Sequence, residues 1–87
     1  MAIFYFHLKN GDELIVDEEG ATLPDLAAAR HEALQSAREI LAAAIRTGTP
    51  SVPEAVVVMD GSGRVVDSLR LAAVLPQPLR AMSLREP

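Results

Sequence analysis

The chain has 87 residues, a net charge of −4 and no cysteine, so it forms one small domain without disulfides, thiolate nucleophile or Cys-ligated zinc. Residues 1–60 carry ten acids against four bases (−6), and residues 61–87 carry two acids against four bases (+2), which argues against binding nucleic acid. The N-terminus has no basic region followed by a long apolar run, so we do not expect a signal peptide. No apolar run reaches the roughly 18 residues that span a bilayer. We therefore expect a cytoplasmic protein.

An aromatic-rich strand is predicted over residues 3–8, followed by a hairpin turn at Asn10-Gly11, where both residues tolerate a positive φ. A short second strand is predicted over residues 14–16. Side chains alternate along a strand, so Tyr5 and His7 share one face and Phe4 and Phe6 share the other.

A long helix is predicted over residues 23–46 by an apolar stripe of helical period. The pattern Thr22-x-x-Asp25 is typical of a capping box, with Thr22 as the N-cap. Pro24 falls in the first turn, where its missing N–H is harmless. Gly48 suits a left-handed cap at the end of the helix.

Two further strands are predicted over residues 55–59 and 64–69, joined by a turn at residues 60–63. Both strands are apolar on both faces, which indicates a dimer or partner surface on the side of the sheet that lacks a helix. Residues 71–75 add one helical turn. Pro76 and Pro78 then break regular structure, which gives a domain over residues 1–75 and a flexible tail over residues 76–87.

These elements predict an α+β fold of two antiparallel hairpins flanking one long helix, in the order β-β-α-β-β. The helix packs on one face of a four-stranded sheet. The predicted core is the set Phe4, Phe6, Leu8, Leu14, Val16, Leu26, Ala33, Ala37, Ile40 and Leu41.

Three adjacent acids, Asp17, Glu18 and Glu19, lie between the second strand and the helix. Their spacing does not match a calcium loop, and paired catalytic carboxylates need a cleft that a small domain lacks. Negative charge ahead of a helix start is stabilising. We therefore interpret the acids as a solvated strand end that complements the helix dipole, with a weak cation site as the alternative.

Tyr5, His7 and Arg30 are the candidate interaction residues. His7 has no serine or second histidine placed to complete a relay, so a structural or interface role is favoured over a base or a ligand. Arg30 falls inside the apolar arc of the helix. We expect it to pair with Asp17 or Glu19, and anion binding is the alternative. The exposed arc of the helix holds His31.

The segments YFHL, NGD, DEEG and LPDLAAARHEAL closely resemble a family of small bacterial proteins of unknown function. The family's members are usually stand-alone chains and are common in alphaproteobacteria. The resemblance covers about residues 3–70 and implies no catalytic residue. The helix entry ATLPDLAAARHEAL is more distantly similar to HicB-type antitoxins, although this chain lacks their separate DNA-binding segment.

We expect a noncatalytic protein-interaction module that forms a homodimer or binds a small protein partner, through the sheet face with Tyr5 and His7 or through an edge strand. We expect no metal or other cofactor, no nucleic acid and no membrane among its partners. One alternative is an antitoxin-like protein that sequesters a small basic toxin. The other is an enzyme or small-ligand binder built around His7, Tyr5 and Arg30, which would require a pocket lined by those side chains.

Overall fold

The computed structural model describes residues 1–49 and 51–83, and it has one long helix packed on an antiparallel sheet. The strands are β1 (Ala2–Asn10), β2 (Glu13–Ile15), β3 (Ala21–Leu23), β4 (Ala55–Asp60) and β5 (Val65–Arg70). The helices are α1 (Leu26–Thr47), a 3₁₀ turn (Leu71–Val74) and α2 (Gln77–Ser83). The predicted α+β class is confirmed, but the predicted β-β-α-β-β order omits β3, and the sheet has five strands instead of four.

Strand β1 lies inside the sheet and organises it, in the order β2-β1-β4-β5 with β3 also paired to β1. Strand β4 occupies one edge of β1 along residues 4–9. Strands β2 and β3 therefore lie end to end along the other edge, where β3 pairs with residues 2–4 and β2 pairs with residues 8–10. None of the described strands pairs with residues 5–7 along that edge.

The two predicted hairpins are both present. In the first, Asn10 pairs with Glu13, so the turn is Gly11-Asp12, one residue later than the sequence pattern indicated. Gly11 has a φ of 63°, which glycine adopts without strain. In the second, the Asp60 carboxylate accepts hydrogen bonds from the backbone N–H groups of Ser62 and Arg64, both at 3.0 Å.

Helix α1 begins later than predicted, because Asp25 and not Thr22 is its N-cap. The Oδ1 atom of Asp25 accepts a hydrogen bond of 2.9 Å from the Ala28 N–H. Thr22 instead pairs with Ile3 in β3. Pro24 disfavours helical backbone at the residue before it, and this keeps Leu23 extended. The predicted cap at Gly48 is confirmed, with a φ of 73°.

The core lies between α1 and the even-numbered side chains of β1 and β4. Three alanines of α1 allow the helix to approach the sheet closely. The buried cluster consists of Phe4, Ala29, Ala33, Ala37, Val56, Val58 and Leu71. Predicted members Phe6, Leu8, Leu26, Ile40 and Leu41 are partly buried against it.

Leu14 and Val16 were wrongly predicted as core residues. Their exposed fractions are 44% and 57%. Helix α1 packs over β3, β4 and β5, whereas β2 lies at the sheet edge. In addition, Leu14 pairs with Lys9, so alternation places it on the face away from the helix.

The face of the sheet opposite α1 is called the open face here. It carries the odd-numbered side chains of β1 and their cross-strand partners. Pairing arranges them in three rows, Tyr5–Met59–Val65, His7–Val57–Ser68 and Lys9–Ala55–Arg70.

The C-terminal region is more regular than predicted. The 3₁₀ turn Leu71–Val74 matches the expected helical turn, but Gln77–Ser83 forms helix α2 where irregular structure was expected. Proline is tolerated in the first turn of a helix, so Pro78 does not interrupt it. The rest of the predicted tail, residues 84–87, lies outside the described residues. Within residues 1–49 and 51–83, no helix has both the length and the apolar character that a bilayer crossing requires.

Ala37→Leu is expected to lower the free energy of unfolding by about 1–3 kcal/mol, because overpacking forces the helix away from the sheet. Ala37 has an exposed fraction of 0%. The matched control is Ala42→Leu on the exposed side of the same helix, which should change stability by only a few tenths of a kcal/mol. Urea unfolding measures both, and equal effects would contradict the described packing.

Candidate functional site

A side chain fills the gap between β2 and β3 on the edge of β1. The Phe6 N–H points into this gap and donates a hydrogen bond of 3.1 Å to Oδ2 of Asp17. The carboxylate thus takes the place of a strand carbonyl and satisfies a backbone donor that would otherwise lack a partner. Asp17 holds the connection from β2 to β3 against β1.

The same carboxylate also folds its own loop. Its Oδ1 atom accepts hydrogen bonds from the Glu19 and Gly20 N–H groups, both at 3.2 Å. Burial by itself would raise the pKa of Asp17. The three backbone donors at Phe6, Gly20 and Glu19 outweigh that effect and hold this pKa below its ordinary value.

His7 lies against this loop with an exposed fraction of only 7%, although it is on the open face. Its Nδ1 atom accepts a hydrogen bond of 2.9 Å from the Asp17 N–H. An accepting Nδ1 carries no proton, so the neutral ring carries its proton on Nε2. Among the described residues Nε2 has no hydrogen-bond partner, and it is not a fully enclosed atom.

Tyr5 and Gly20 complete the setting of the histidine. The rings of Tyr5 and His7 are nearly parallel, with centroids 6.1 Å apart and planes at 11°. Gly20 has a φ of 70°, and a Cβ there would lie 2.9 Å from Cε1 of Tyr5 and 3.0 Å from the Phe4 carbonyl oxygen. A glycine at this position lets the loop pass directly beside the tyrosine ring.

A shallow pocket of about 390 Å³ opens on the open face beside this cluster. Its walls combine aromatic, aliphatic and thioether groups with carboxylates from the two loops. The lining residues are Tyr5, His7, Val16, Asp17, Glu18, Met59, Asp60, Gly61 and Gly63. This volume lies within the range of about 300–1,000 Å³ that is usual for small-molecule sites.

The structure brings together two of the three predicted interaction residues. Tyr5 and His7 are stacked beside the pocket, whereas Arg30 is not among the residues that line it. Arg30 pairs with Asp67 of β5, with 3.1 Å between Nε and Oδ2. The predicted pairing with Asp17 or Glu19 is therefore wrong. Asp17 binds backbone donors at the β2–β3 edge of β1, and strand β4 lies between β1 and the β5 strand that carries Asp67. His31 is exposed, as expected.

The interpretation of the acids as a helix entry is also corrected. Strand β3 separates Asp17 from the start of α1, and no acid lies in the first turn of that helix. Among the described residues, no group of three or more His, Cys, Asp or Glu could hold a metal ion. One sequence signal for the loop was overlooked: an aspartate followed by glycine three residues later is typical of a turn closed by the aspartate side chain.

Comparison with known proteins identifies the family. The model of a family described as a domain of unknown function (DUF6894) matches residues 3–72, and the chain belongs to that family. This confirms the resemblance to a family of unknown function that the sequence indicated. Neither a curated protein nor a solved structure matches the chain, and the likeness to HicB-type antitoxins is not supported.

Gly20→Ala is expected to destabilise the fold by at least about 1 kcal/mol more than Gly11→Ala. Both glycines have a positive φ, so both variants carry the same backbone strain. At Gly20 the added Cβ meets Tyr5 and the Phe4 carbonyl oxygen, whereas no atom of the described residues lies within 4 Å of a Cβ at Gly11. Thermal and urea unfolding of the two variants isolate the steric contribution, and a larger loss at Gly11 would refute the close approach.

Asp17→Asn is expected to lower the free energy of unfolding at neutral pH by about 1–3 kcal/mol, because an amide offers one acceptor oxygen to three backbone donors. The folded pKa of Asp17 is depressed. Its ionised form therefore stabilises the fold fully above the unfolded pKa of about 3.9, and this contribution is lost as the pH falls through the folded value.

Urea unfolding between neutral pH and about pH 3 should show the two chains converging as the pH drops below about 4. The control is Asp12→Asn in the exposed first turn. A stability difference that stays constant over the whole pH range would rule out the assigned role of the carboxylate.

Proposed function

We propose that the chain is a noncatalytic protein-interaction module that self-associates through the open face of its sheet. The observation that carries the proposal is the apolar character of that face. A sheet covered by helix on one side usually presents polar side chains on the other. Here Val65 is 52% exposed and Ile3 is 37% exposed. The half-buried ring of Tyr5 and the half-buried thioether of Met59 belong to the same face.

The charges on the open face are segregated along the strands. Lys9 and Arg70 lie in the same row at one end. At the other end, acids of the 16–20 loop and of the β4–β5 turn line a pocket with Tyr5 and Met59. The segregation is partial, because Arg64 pairs with Asp60 at this end and Glu54 lies beside Lys9 at the other. Four residues of extended chain, about 13 Å, separate the Tyr5 row from the Lys9 row along β1.

This segregation favours a second copy of the chain as the partner and selects one packing. A twofold axis parallel to the strands would place the acidic end of one copy against the acidic end of the other. A twofold axis across the strands, through the His7–Val57–Ser68 row, places Lys9 and Arg70 of each copy against the acids of the other. That interface is self-complementary in both charge and apolar character.

The edges of the sheet are poorer candidates for self-association. Strands β2 and β3 have three residues each, which is too short for an effective template. On the edge strand β5, the Ser68 N–H donates a hydrogen bond of 2.9 Å to Oδ1 of Asp67, and Arg30 pairs with Oδ2 of the same carboxylate. A charged side chain bound to an edge backbone donor discourages pairing with another strand.

A noncatalytic role is supported by how the reactive groups of the cluster are occupied. Nδ1 of His7 accepts a backbone N–H, and the Asp17 carboxylate accepts three more. A general base and the carboxylate that orients it would bond to each other through the imidazole N–H instead. These contacts hold a loop in place.

The wild-type chain is expected to sediment as a dimer with a dissociation constant below about 100 µM. Arg70→Glu should weaken the dimer about tenfold or more, because it sets an acid against the acidic end of the other copy. Adding Glu18→Lys to that variant restores the opposite charges and should recover most of the affinity. Analytical ultracentrifugation measures all three chains.

The matched control is Arg38→Glu, which reverses an exposed arginine on helix α1. It should leave the dimer unchanged. A monomeric wild-type chain would overturn the proposal, and so would an Arg38→Glu effect equal to that of Arg70→Glu. A wild-type monomer that gains mass only with a basic protein partner would favour sequestration of such a partner instead.

A further inference from the structure

We propose that the pocket beside His7 binds a small aminated heteroaromatic ring. The ring presents a nitrogen acceptor next to an exocyclic amino group, the arrangement found on the edges of adenine and cytosine. Four features of the pocket support this ligand class: a buried donor, an unpaired carboxylate, apolar walls and a negative surround. The pocket lies on the open face, so a bound ligand and a second copy of the chain would exclude each other there.

The donor is Nε2 of His7. The ring is more than nine-tenths buried, and its Nδ1 atom is held by the Asp17 N–H, so its orientation and its tautomer are both set. Nε2–H has no partner among the described residues, and the residue lines the pocket. A ligand atom with a lone pair would satisfy this donor, whereas a simple ammonium or guanidinium group would not.

The acceptor is the carboxylate of Glu18, the one acid of the pocket that makes no hydrogen bond or ion pair with the described residues. Asp17 is occupied by backbone donors, and Asp60 is occupied by Ser62 and Arg64. An exocyclic amino group would donate to Glu18 while the neighbouring ring nitrogen accepts from His7. In the proposed complex, one ligand edge pairs with both groups.

The walls fit a flat ring. Tyr5 offers an aromatic surface and Met59 a polarisable thioether, and both groups make favourable contacts with aromatic rings. Val16 adds an aliphatic surface and is 57% exposed without a ligand. A volume of about 390 Å³ is sufficient for one such ring.

The charge around the pocket sets a further limit on the ligand. Three carboxylates line it, and no lysine or arginine is among the described lining residues. A phosphate group close to these acids would be repelled. The site therefore selects a base or nucleoside over the corresponding nucleotide.

The test is a titration of the full chain with adenosine and cytidine above pH 7, followed by ¹H–¹⁵N NMR. The Asp17 amide is the reporter, because its N–H donates to the His7 ring. Both nucleosides should shift this signal with a dissociation constant below about 1 mM. Inosine and uridine present the reversed donor and acceptor order and should bind at least about tenfold more weakly, as should adenosine monophosphate.

Glu18→Gln removes the carboxylate charge at an exposed position and should weaken adenosine about tenfold, while Glu39→Gln on the exposed side of α1 should have no effect. The titration is repeated with Arg70→Glu, which keeps every lining residue of the pocket and weakens the proposed dimer. This variant should bind adenosine at least as tightly as the wild-type chain, and its failure to bind would count against the ligand site whatever the state of association. No shift of the Asp17 amide, or equal binding of adenosine and inosine, would overturn the proposal.

Discussion

The Asp17 carboxylate is the contact on which the β2–β3 edge of the sheet depends. It accepts the Phe6 N–H at the gap in that edge and closes its own loop by accepting two more backbone donors. Its backbone N–H at the same time sets the tautomer of His7. One residue thus holds the connection between β2 and β3 against β1, satisfies the Phe6 N–H in the gap and orients the His7 ring, which lines the pocket.

The second organising constraint is that one helix covers only one face of the sheet. The small alanines of α1 pack against Val56 and Val58, and this layer forms the core. Among the described residues, no helix covers the odd-numbered side chains of β1 and β4, although His7, Ala55 and Val57 are buried there. Their apolar character, the charge segregation along the strands and the pocket beside His7 all lie on this face, which is why both proposals concern it.

Local patterns in the sequence identified much of the fold. Both hairpins, the cap at Gly48 and the α+β class follow from turn chemistry and from the change of hydrophobic period along the chain. Strand β3 was missed because three residues before a proline carry no periodic signal. The helix start was also misplaced. The capping-box pattern predicted an N-cap at Thr22, but Pro24 keeps Leu23 extended, and the helix therefore begins after Asp25.

The sequence by itself determined where the chain turns, which segment is a long helix, and that Tyr5 and His7 share one face of β1. These features depend on backbone preference and on periods of two and 3.6 residues. Only the tertiary structure decided that Asp17 bridges to Phe6 and His7, and that Arg30 pairs with Asp67. Those contacts join residues ten or more positions apart. Their formation depends on strand order and register, which no local pattern specifies.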